Sequence, residues 1–245
     1  MSEQSFQRTA IVTGGGKRVG AGIVAALIAD GWRVAAHVHH DSDTVPQGAQ
    51  KVLADLADAD CGETIFAAVG GPVALLVNNA ARFVHDGFGA ASASEFDSHM
   101  AVNARAPMLL IDALARRHAA GQNALVVNIL DAKLAAPNPD YLSYTMSKYA
   151  AAGLTELAAR ALAGQGIRVN AVAPALMLPS GAQDDAGFDR VHALNPLGRG
   201  VAVDDVVGAI RFLIDQRAIT GQTLVIDGGQ RFMALPRDVQ FVETK

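Results

Sequence analysis

"TAIVTGGGKRVGAGIVAALIADGWRVAAHV", residues 9–38, decides the fold. It opens on a short apolar run, TAIVTG (9–14), that glycines stop. A helical pattern follows, VGAGIVAALIADG (19–31), with Gly31 just past its last periodic residue, where helices commonly end. WRVAAHV (32–38) is a second apolar run. Both runs are continuous rather than alternating, the pattern of strands covered on both faces. Strand, helix and strand in this order predict a parallel βαβ unit.

The rhythm continues outward. ALLVNNA (74–80), ALVVNIL (124–130), IRVNAVAPA (167–175) and TLVIDGG (223–229) read as further strands, and residues 95–118, 144–163 and 203–215 carry helical spacing. With no linker or internal repeat, residues 1–245 are expected to form one doubly wound α/β domain. The segment 178–200, LPSGAQDDAGFDRVHALNPLGRG, is rich in Gly, Pro and Asp and breaks the pattern. It follows a strand's C-terminal end, where ligands of open α/β sheets bind. A substrate lid is therefore expected at about 176–200, with Met177, Leu178 and Phe188 shaping the pocket.

Hydrophobic residues make up 51% of the chain and charged residues 18%, which suits a large core and argues against disorder. A net charge of −4 and the absence of a Lys/Arg run speak against nucleic acid or a membrane surface as partner. The single cysteine, Cys61, allows no intrachain disulfide and is expected as an inert surface or half-buried thiol. No His/Cys cluster suggests a metal. MSEQSFQRT at the start carries no apolar signal segment, and no apolar run approaches the roughly 18 residues of a membrane span. A cytoplasmic location is expected.

TGGGKRVG (13–20) joins the first strand to the first helix. Its glycines let the backbone turn tightly and approach a ligand, and the helix start that follows offers free N–H groups and partial positive charge. A pyrophosphate suits such a place. Units of this kind that bind NAD usually carry an acid near the end of the second strand, for the ribose 2′-OH. Here the strand ends HVHHDSD (37–43), with Val38 at the expected acidic position. Arg18, beside Lys17 in the turn, and His39 and His40 are expected to accept a 2′-phosphate, which favours NADPH over NADH. Asp41 is the residue that would reverse this.

DAKLAAPNPDYLSYTMSK (131–148) ends in Tyr144 and Lys148, four residues apart and so on one helical face. An ammonium beside a phenol stabilises the phenolate and lowers a pKa that is ordinarily about 10. Tyr141 has Thr145 four residues on and lacks this partner.

With these pieces in order, the chain resembles the short-chain dehydrogenase/reductases over nearly its whole length. TGGGKRVG is similar to their cofactor turn, DL (55–56) to the adenine-side pair, and NNA (78–80) to the end of the fourth strand. AVNARAP, YTMSK, RVNAVAPA and VIDGG match later motifs in sequence order. The resemblance implies a Rossmann-type parallel seven-stranded sheet with helices on both faces. It implies Tyr144 as proton donor, Lys148 as the residue that lowers its pKa and holds the nicotinamide ribose, and Asn103 as support for a water relay behind Lys148. Cofactor contacts are implied at Gly14, Lys17, Arg18, Val19, His39, His40, Asp55, Leu56, Asn79, Ala80, Ala81, Tyr144, Lys148, Pro174 and Leu176.

Most family members have Ser where Asp131 stands and Gly where Arg18 stands. Arg18, Asp131 and Phe83 of NNAARF together resemble the pteridine reductases and the related dihydromonapterin and dihydrofolate reductases. That resemblance implies a substrate site of Arg18, Phe83, Asp131, Tyr144, Met177 and Phe188, in which Phe83 stacks on a pterin and Asp131 helps protonate a ring nitrogen. A pterin C=N suits a carboxyl that exchanges a proton, whereas a plain carbonyl wants a neutral donor such as Ser. The alternatives are a reductase or dehydrogenase of another carbonyl or alcohol and, more remotely, a non-catalytic nucleotide-binding protein. A homotetramer is expected, and the tail RFMALPRDVQFVETK (231–245) is placed to reach a neighbour's active site.

Overall fold

Seven parallel strands form one sheet in the computed structural model, which describes residues 8–178, 188 and 192–241. The strands are β1 (Thr9–Val12), β2 (Arg33–Val38), β3 (Gln50–Leu53), β4 (Leu75–Asn78), β5 (Ala124–Ile129), β6 (Ile167–Pro174) and β7 (Thr223–Ile226). Their order is β3-β2-β1-β4-β5-β6-β7, so the chain reverses direction across the sheet between β1 and β4.

The helices are α1 (Arg18–Ala29), α2 (Cys61–Val69), α3 (Ala93–Met100), α4 (Ala106–Arg117), α5 (Leu142–Leu162) and α6 (Val203–Asp215). Successive strand residues point to opposite faces. Ile11, Leu76 and Val126 accordingly pack with Ile65 of α2, Leu110 of α4 and Ala158 of α5. Ala10, Val12 and Val77 pack with Ile23 of α1 and Ile210 of α6 on the other side. The doubly wound, helix-covered sheet is as the sequence implies.

Three local features differ from expectation. β3 and α2 carry no legible pattern: β3 is a four-residue edge strand in which only Val52 is buried, and α2 is nine residues long. Cys61 begins α2 and is buried, 1% exposed, rather than at the surface or half-buried, and burial pushes its thiol pKa up. The helical stretch expected at 95–118 is broken by a π-helical turn, Ala101–Arg105, before α4. Pro107, in the first turn of α4, has no N–H to give the preceding ladder, which explains a break there.

A buried polar chain ties α5 to the sheet. Asn78 and Asn128 are register partners on β4 and β5, and Asn78 Nδ2 donates to Asn128 Oδ1 at 2.8 Å. Asn128 Nδ2 donates to Thr155 Oγ1 on α5 at 2.9 Å. At the front of α5, the Asp86 carboxylate accepts from Ser143 N at 2.9 Å and from the Ser143 hydroxyl. A carboxylate at a helix N-terminus is favoured by the macrodipole. These bonds set the height of α5, and so of Tyr144, against the strand ends.

Candidate active site

A cavity of about 700 Å³ lies over the C-terminal ends of β1, β2, β4, β5 and β6. This is the topological switch point, where open α/β sheets bind ligands. The β1–α1 turn forms one part of its wall. Gly14 is in the left-handed region, φ +62, and a Cβ at Gly20 would stand 2.0 Å from the Gly14 carbonyl oxygen. Only glycine allows that approach. The N-cap of α1 is Lys17, whose side chain offers no acceptor to the first-turn N–H groups. A glycine turn leading to a helix start that no side chain caps fits a pyrophosphate.

His37 braces this turn, and sequence reasoning passed over it. It is 2% exposed on β2. Its Nδ1 accepts from Gly14 N at 3.2 Å, and its Nε2 lies 3.1 Å from the Ala54 carbonyl. These partners assign the neutral Nε2–H tautomer, and burial lowers the imidazole pKa, which keeps it neutral. The signal available in the sequence was a histidine inside an apolar strand.

The adenine end of the cavity is bordered by Val38, His39, Asp55 and Leu56. His39 Nε2 stands 3.6 Å from Asp55 Oδ2. The His40 ring lies 4.2 Å from that of His39, tilted by 39°, and His40 is not among the described residues lining the cavity. Asp41 pairs with Lys51 at 3.2 Å and also lies outside that lining. Asp43, not singled out from sequence, borders the cavity there beside Asp55, and the charge of Lys17 acts on it. Arg18, with φ 52, reaches the other way: its guanidinium donates to the Leu178 carbonyl at 3.4 Å, beyond the end of β6. Its placement is toward the substrate end rather than toward His39 and His40.

Asn79 locks β4 against β1. Thr13 Oγ1 accepts from Asn79 N at 2.9 Å and Ala80 N at 3.0 Å. Asn79, Ala80 and Ala81 line the cavity, as do Val19, Pro174, Leu176 and Met177. Of the expected lid, residues 179–187 and 189–191 lie outside the described residues. Phe188 stacks on His192 at 4.5 Å and is not among the described residues that line the cavity.

Asp131 and Tyr144 meet directly. Tyr144 Oη donates to Asp131 Oδ2 at 2.8 Å, and Asp131 Oδ1 accepts from Lys133 N at 2.8 Å. The first bond joins the loop after β5 to the first turn of α5. Lys148 Nζ donates to the Ile129 carbonyl at 2.7 Å and sits 5.6 Å from the centre of the Tyr144 ring. The electrostatics differ from the simple lysine–tyrosine expectation. Burial first, and then the Asp131 charge, push the Tyr144 phenol well above its usual pKa. Burial pushes the Asp131 carboxyl up as well, and it pulls Lys148 down to about 8. The strongly bound proton on Tyr144 thus faces a carboxyl whose own proton affinity burial has raised.

Asn103 lies in the π-helical turn, 3% exposed. Its Oδ1 accepts from Arg82 N at 2.7 Å, and its Nδ2 donates to Arg82 O and Ser147 Oγ, each at 2.9 Å. The side chain clamps the loop after β4 to α5 and makes no bond toward Lys148. That loop carries Phe83, which stacks on Tyr141 at 4.3 Å and meets Tyr144 edge-on at 4.7 Å, with 39% of its surface exposed at the cavity. The C-terminal tail, expected to reach a neighbour, lies along this chain's own cavity, which Leu235, Arg237, Asp238 and Gln240 line.

Comparison with known proteins places the chain in a family. The chain matches the family described as enoyl-(acyl carrier protein) reductase over residues 16–231. It is 37% identical over 238 residues to L-xylulose reductase of Bos taurus, covering 91% of this chain and 96% of that protein. It is 32% identical to pteridine reductase 1 of Leishmania tarentolae, covering 90% and 95%. Among solved structures it is similar to FolM alternative dihydrofolate reductase 1 from Brucella canis complexed with NADP, with 34% identity, a TM-score of 0.82 and coverage of 92% and 94%. With its switch-point cavity, its glycine turn and its buried Tyr144 and Lys148, the chain belongs to the short-chain dehydrogenase/reductase family of NAD(P)-dependent oxidoreductases.

Proposed function

We propose that this chain is an NADPH-dependent reductase of a pteridine-type ring, a dihydropterin or dihydrofolate, working as one domain in a cytoplasmic homotetramer. The observation that carries the substrate is the 2.8 Å bond between Tyr144 and Asp131 beside the exposed face of Phe83. A flat apolar ring has a partner in Phe83, since aromatic rings favour offset stacking. A ring nitrogen that must gain a proton has a donor pair in Tyr144 and Asp131. The similarity to proteins described as pteridine reductase and dihydrofolate reductase supports the same reading.

NADPH, when bound, supplies the hydride. The residues suited to hold it are the β1–α1 turn for the pyrophosphate, Lys17 and His39 for the 2′-phosphate, and Lys148 for the nicotinamide ribose. Arg18 faces the phosphates and the substrate together. Reduction of a substrate C=N by that hydride at carbon would require one proton at its nitrogen. That proton leaves from the hydrogen-bonded Asp131–Tyr144 pair. The Lys148 charge beside the Tyr144 ring stabilises the anion left behind. Asn103 acts by position, since it clamps the loop that carries Phe83 to the helix that carries Tyr144.

A second reading, reduction of another carbonyl such as that of a sugar, has one observation in its favour: the 37% identity to L-xylulose reductase. NADPH oxidation followed against dihydrobiopterin, dihydromonapterin, dihydrofolate, L-xylulose and simple ketones separates the two. Turnover of the dihydropterins is expected. Turnover confined to L-xylulose or ketones overturns the pteridine reading.

A further inference from the structure

The C-terminal segment is held over its own site by one buried acid. After β7 and a 3₁₀ turn (Gln230–Met233), the chain returns to the cavity. The Asp140 carboxylate accepts from Arg237 Nε at 3.0 and 2.9 Å and from Asp238 N at 2.7 Å. The Asp140 backbone carbonyl accepts from the Lys133 ammonium, and Lys133 Nζ lies 3.5 Å from Asp238 Oδ2. Tyr141, next in sequence, is held at φ 55, where a residue with a side chain persists only if its surroundings over-determine it. Those surroundings include the tail: Tyr141 Oη donates to Gln240 Oε1 at 3.3 Å, and its ring stacks on both Phe83 and Phe241.

The result is a second carboxylate in the substrate wall. Asp238 and Asp131 border the same cavity, and the Asp238 charge acts on both Asp131 and Tyr144. Asp238 Oδ1 accepts from Gln240 N at 3.2 Å, and Lys133 approaches Oδ2. A carboxylate has about four lone-pair sites, so these contacts leave acceptor capacity. A plain ketone brings only an acceptor to such a wall. A ring with an N–H beside an NH2 brings two donors, which a carboxylate receives well.

We propose that Asp238 is a specificity-determining residue, placed in cis by the Asp140 anchor, whose carboxylate receives the N–H and NH2 edge of a flat, amidine-bearing ring. The inference rests on the pteridine reading for its substrate, and it adds which residue reads that substrate and from which part of the chain.

The test combines calorimetry and kinetics. 2,4-Diaminopyrimidine, which has the donor edge without the reducible ring, is titrated into the enzyme–NADPH complex of the wild type, Asp238→Asn and Arg237→Ala. Dihydrobiopterin kinetics and NADPH affinity are measured on the same proteins. Asp238→Asn is expected to weaken diaminopyrimidine binding and raise the dihydrobiopterin KM by about tenfold, the scale of one hydrogen bond to a charged group. The KM effect is expected to exceed any effect on kcat, and NADPH affinity is unchanged. Arg237→Ala, which loosens the anchor and leaves the Asp238 side chain intact, is expected to act in the same direction.

Three results overturn the inference: a wild type that does not bind diaminopyrimidine, variants that bind it as the wild type does, or a loss of NADPH affinity in parallel, which marks a merely structural role. Binding that depends on Asp238 in an enzyme that does not reduce dihydropterins sinks the pteridine function alone. Dihydropterin turnover indifferent to Asp238 sinks this inference alone.

Discussion

The Tyr144 hydroxyl donates to the Asp131 carboxylate at 2.8 Å, while Lys148 donates elsewhere, to the Ile129 carbonyl at 2.7 Å. Burial first, and the Asp131 carboxylate after it, raise the pKa of the phenol. An anion as nearest neighbour holds a phenol protonated. A reductase needs that state, because its tyrosine must bring a proton to the reaction.

The first prediction concerns Asp131. Asp131→Asn keeps a polar group near Tyr144 Oη but cannot exchange a proton. General acid–base catalysis contributes about 10²–10⁴-fold. The expected loss in kcat for dihydropterin reduction is at least about 100-fold, with NADPH affinity unchanged. Asp131→Ser, which restores a neutral donor, is expected to remain poor on dihydropterins. Steady-state kinetics together with an NADPH titration of each variant check this, and wild-type turnover in Asp131→Asn would remove the carboxylate from the mechanism.

Lys148 yields a prediction in pH. Its pKa is drawn down to about 8 by burial, against 10.5 ordinarily. Its charge is present below about pH 8 and lost above it, so kcat/KM for the substrate is expected to be level in the neutral range and to fall as pH rises through about 8. The stability of the cofactor-free protein moves the other way. Between about pH 8 and the ordinary value the unfolded chain binds more protons than the folded one, so folding stability rises with pH there. The same reasoning makes Lys148→Met inactive yet more stable at pH 7. Removing a buried charge that costs about 3 kcal/mol outweighs the lost bond to Ile129 O, worth about 1 kcal/mol. A rise in Tm of a few degrees is expected by calorimetry, and a fall would contradict the burial argument.

The frame of the site was legible before its wiring. The apolar runs that became β1, β2, β4, β5 and β6 are continuous because both faces of a parallel sheet are covered, and that pattern is local. β3 escaped because an edge strand with one buried residue has no such signature. Tyr144 and Lys148 were readable from spacing, since helical periodicity alone puts them on one face. The direction of the Tyr144 shift was not, because it depends on a loop thirteen residues earlier folding back to bring Asp131 within 2.8 Å. His37 and Asp140 were invisible for the same reason: their partners, Gly14 and Arg237, are 23 and 97 residues away. The direction in which Arg18 points was not legible either, because its partner Leu178 is 160 residues away.

Arg18 and Lys17 accordingly separate in a cofactor experiment. Arg18 leans toward Leu178, and Lys17 acts on Asp43 at the adenine end. Lys17→Ala is expected to weaken NADPH binding about tenfold and NADH binding less than about twofold, since only NADPH carries the 2′-phosphate. Arg18→Ala is expected to weaken both alike and to raise the substrate KM. Fluorescence titrations with the two cofactors measure this. A selective NADPH loss in Arg18→Ala, with none in Lys17→Ala, would return the 2′-phosphate to Arg18.

Asn103 tests whether a residue two bonds from the chemistry controls it by position. Its amide satisfies both backbone groups of Arg82 and the Ser147 hydroxyl, and Ser147 Oγ in turn donates to the Tyr144 carbonyl at 2.6 Å. Asn103→Ala leaves the Arg82 N–H and C=O without these partners, and an unsatisfied buried group costs about 1–3 kcal/mol. Both groups are only part-buried, so about 1 kcal/mol each, about 2 kcal/mol together, is expected, a drop in Tm of roughly 4–8 °C at about 2–4 °C per kcal/mol for a chain of this size. The loop bearing Phe83 also loses its tie to α5, so the substrate KM is expected to rise along with a fall in kcat. If Asn103 served the proton path instead, Asn103→Ala would move the alkaline limb of the pH profile. Positional control predicts a lower plateau with the limb still near pH 8. Melting curves and pH profiles of kcat/KM on the same variant therefore distinguish a clamp from a relay.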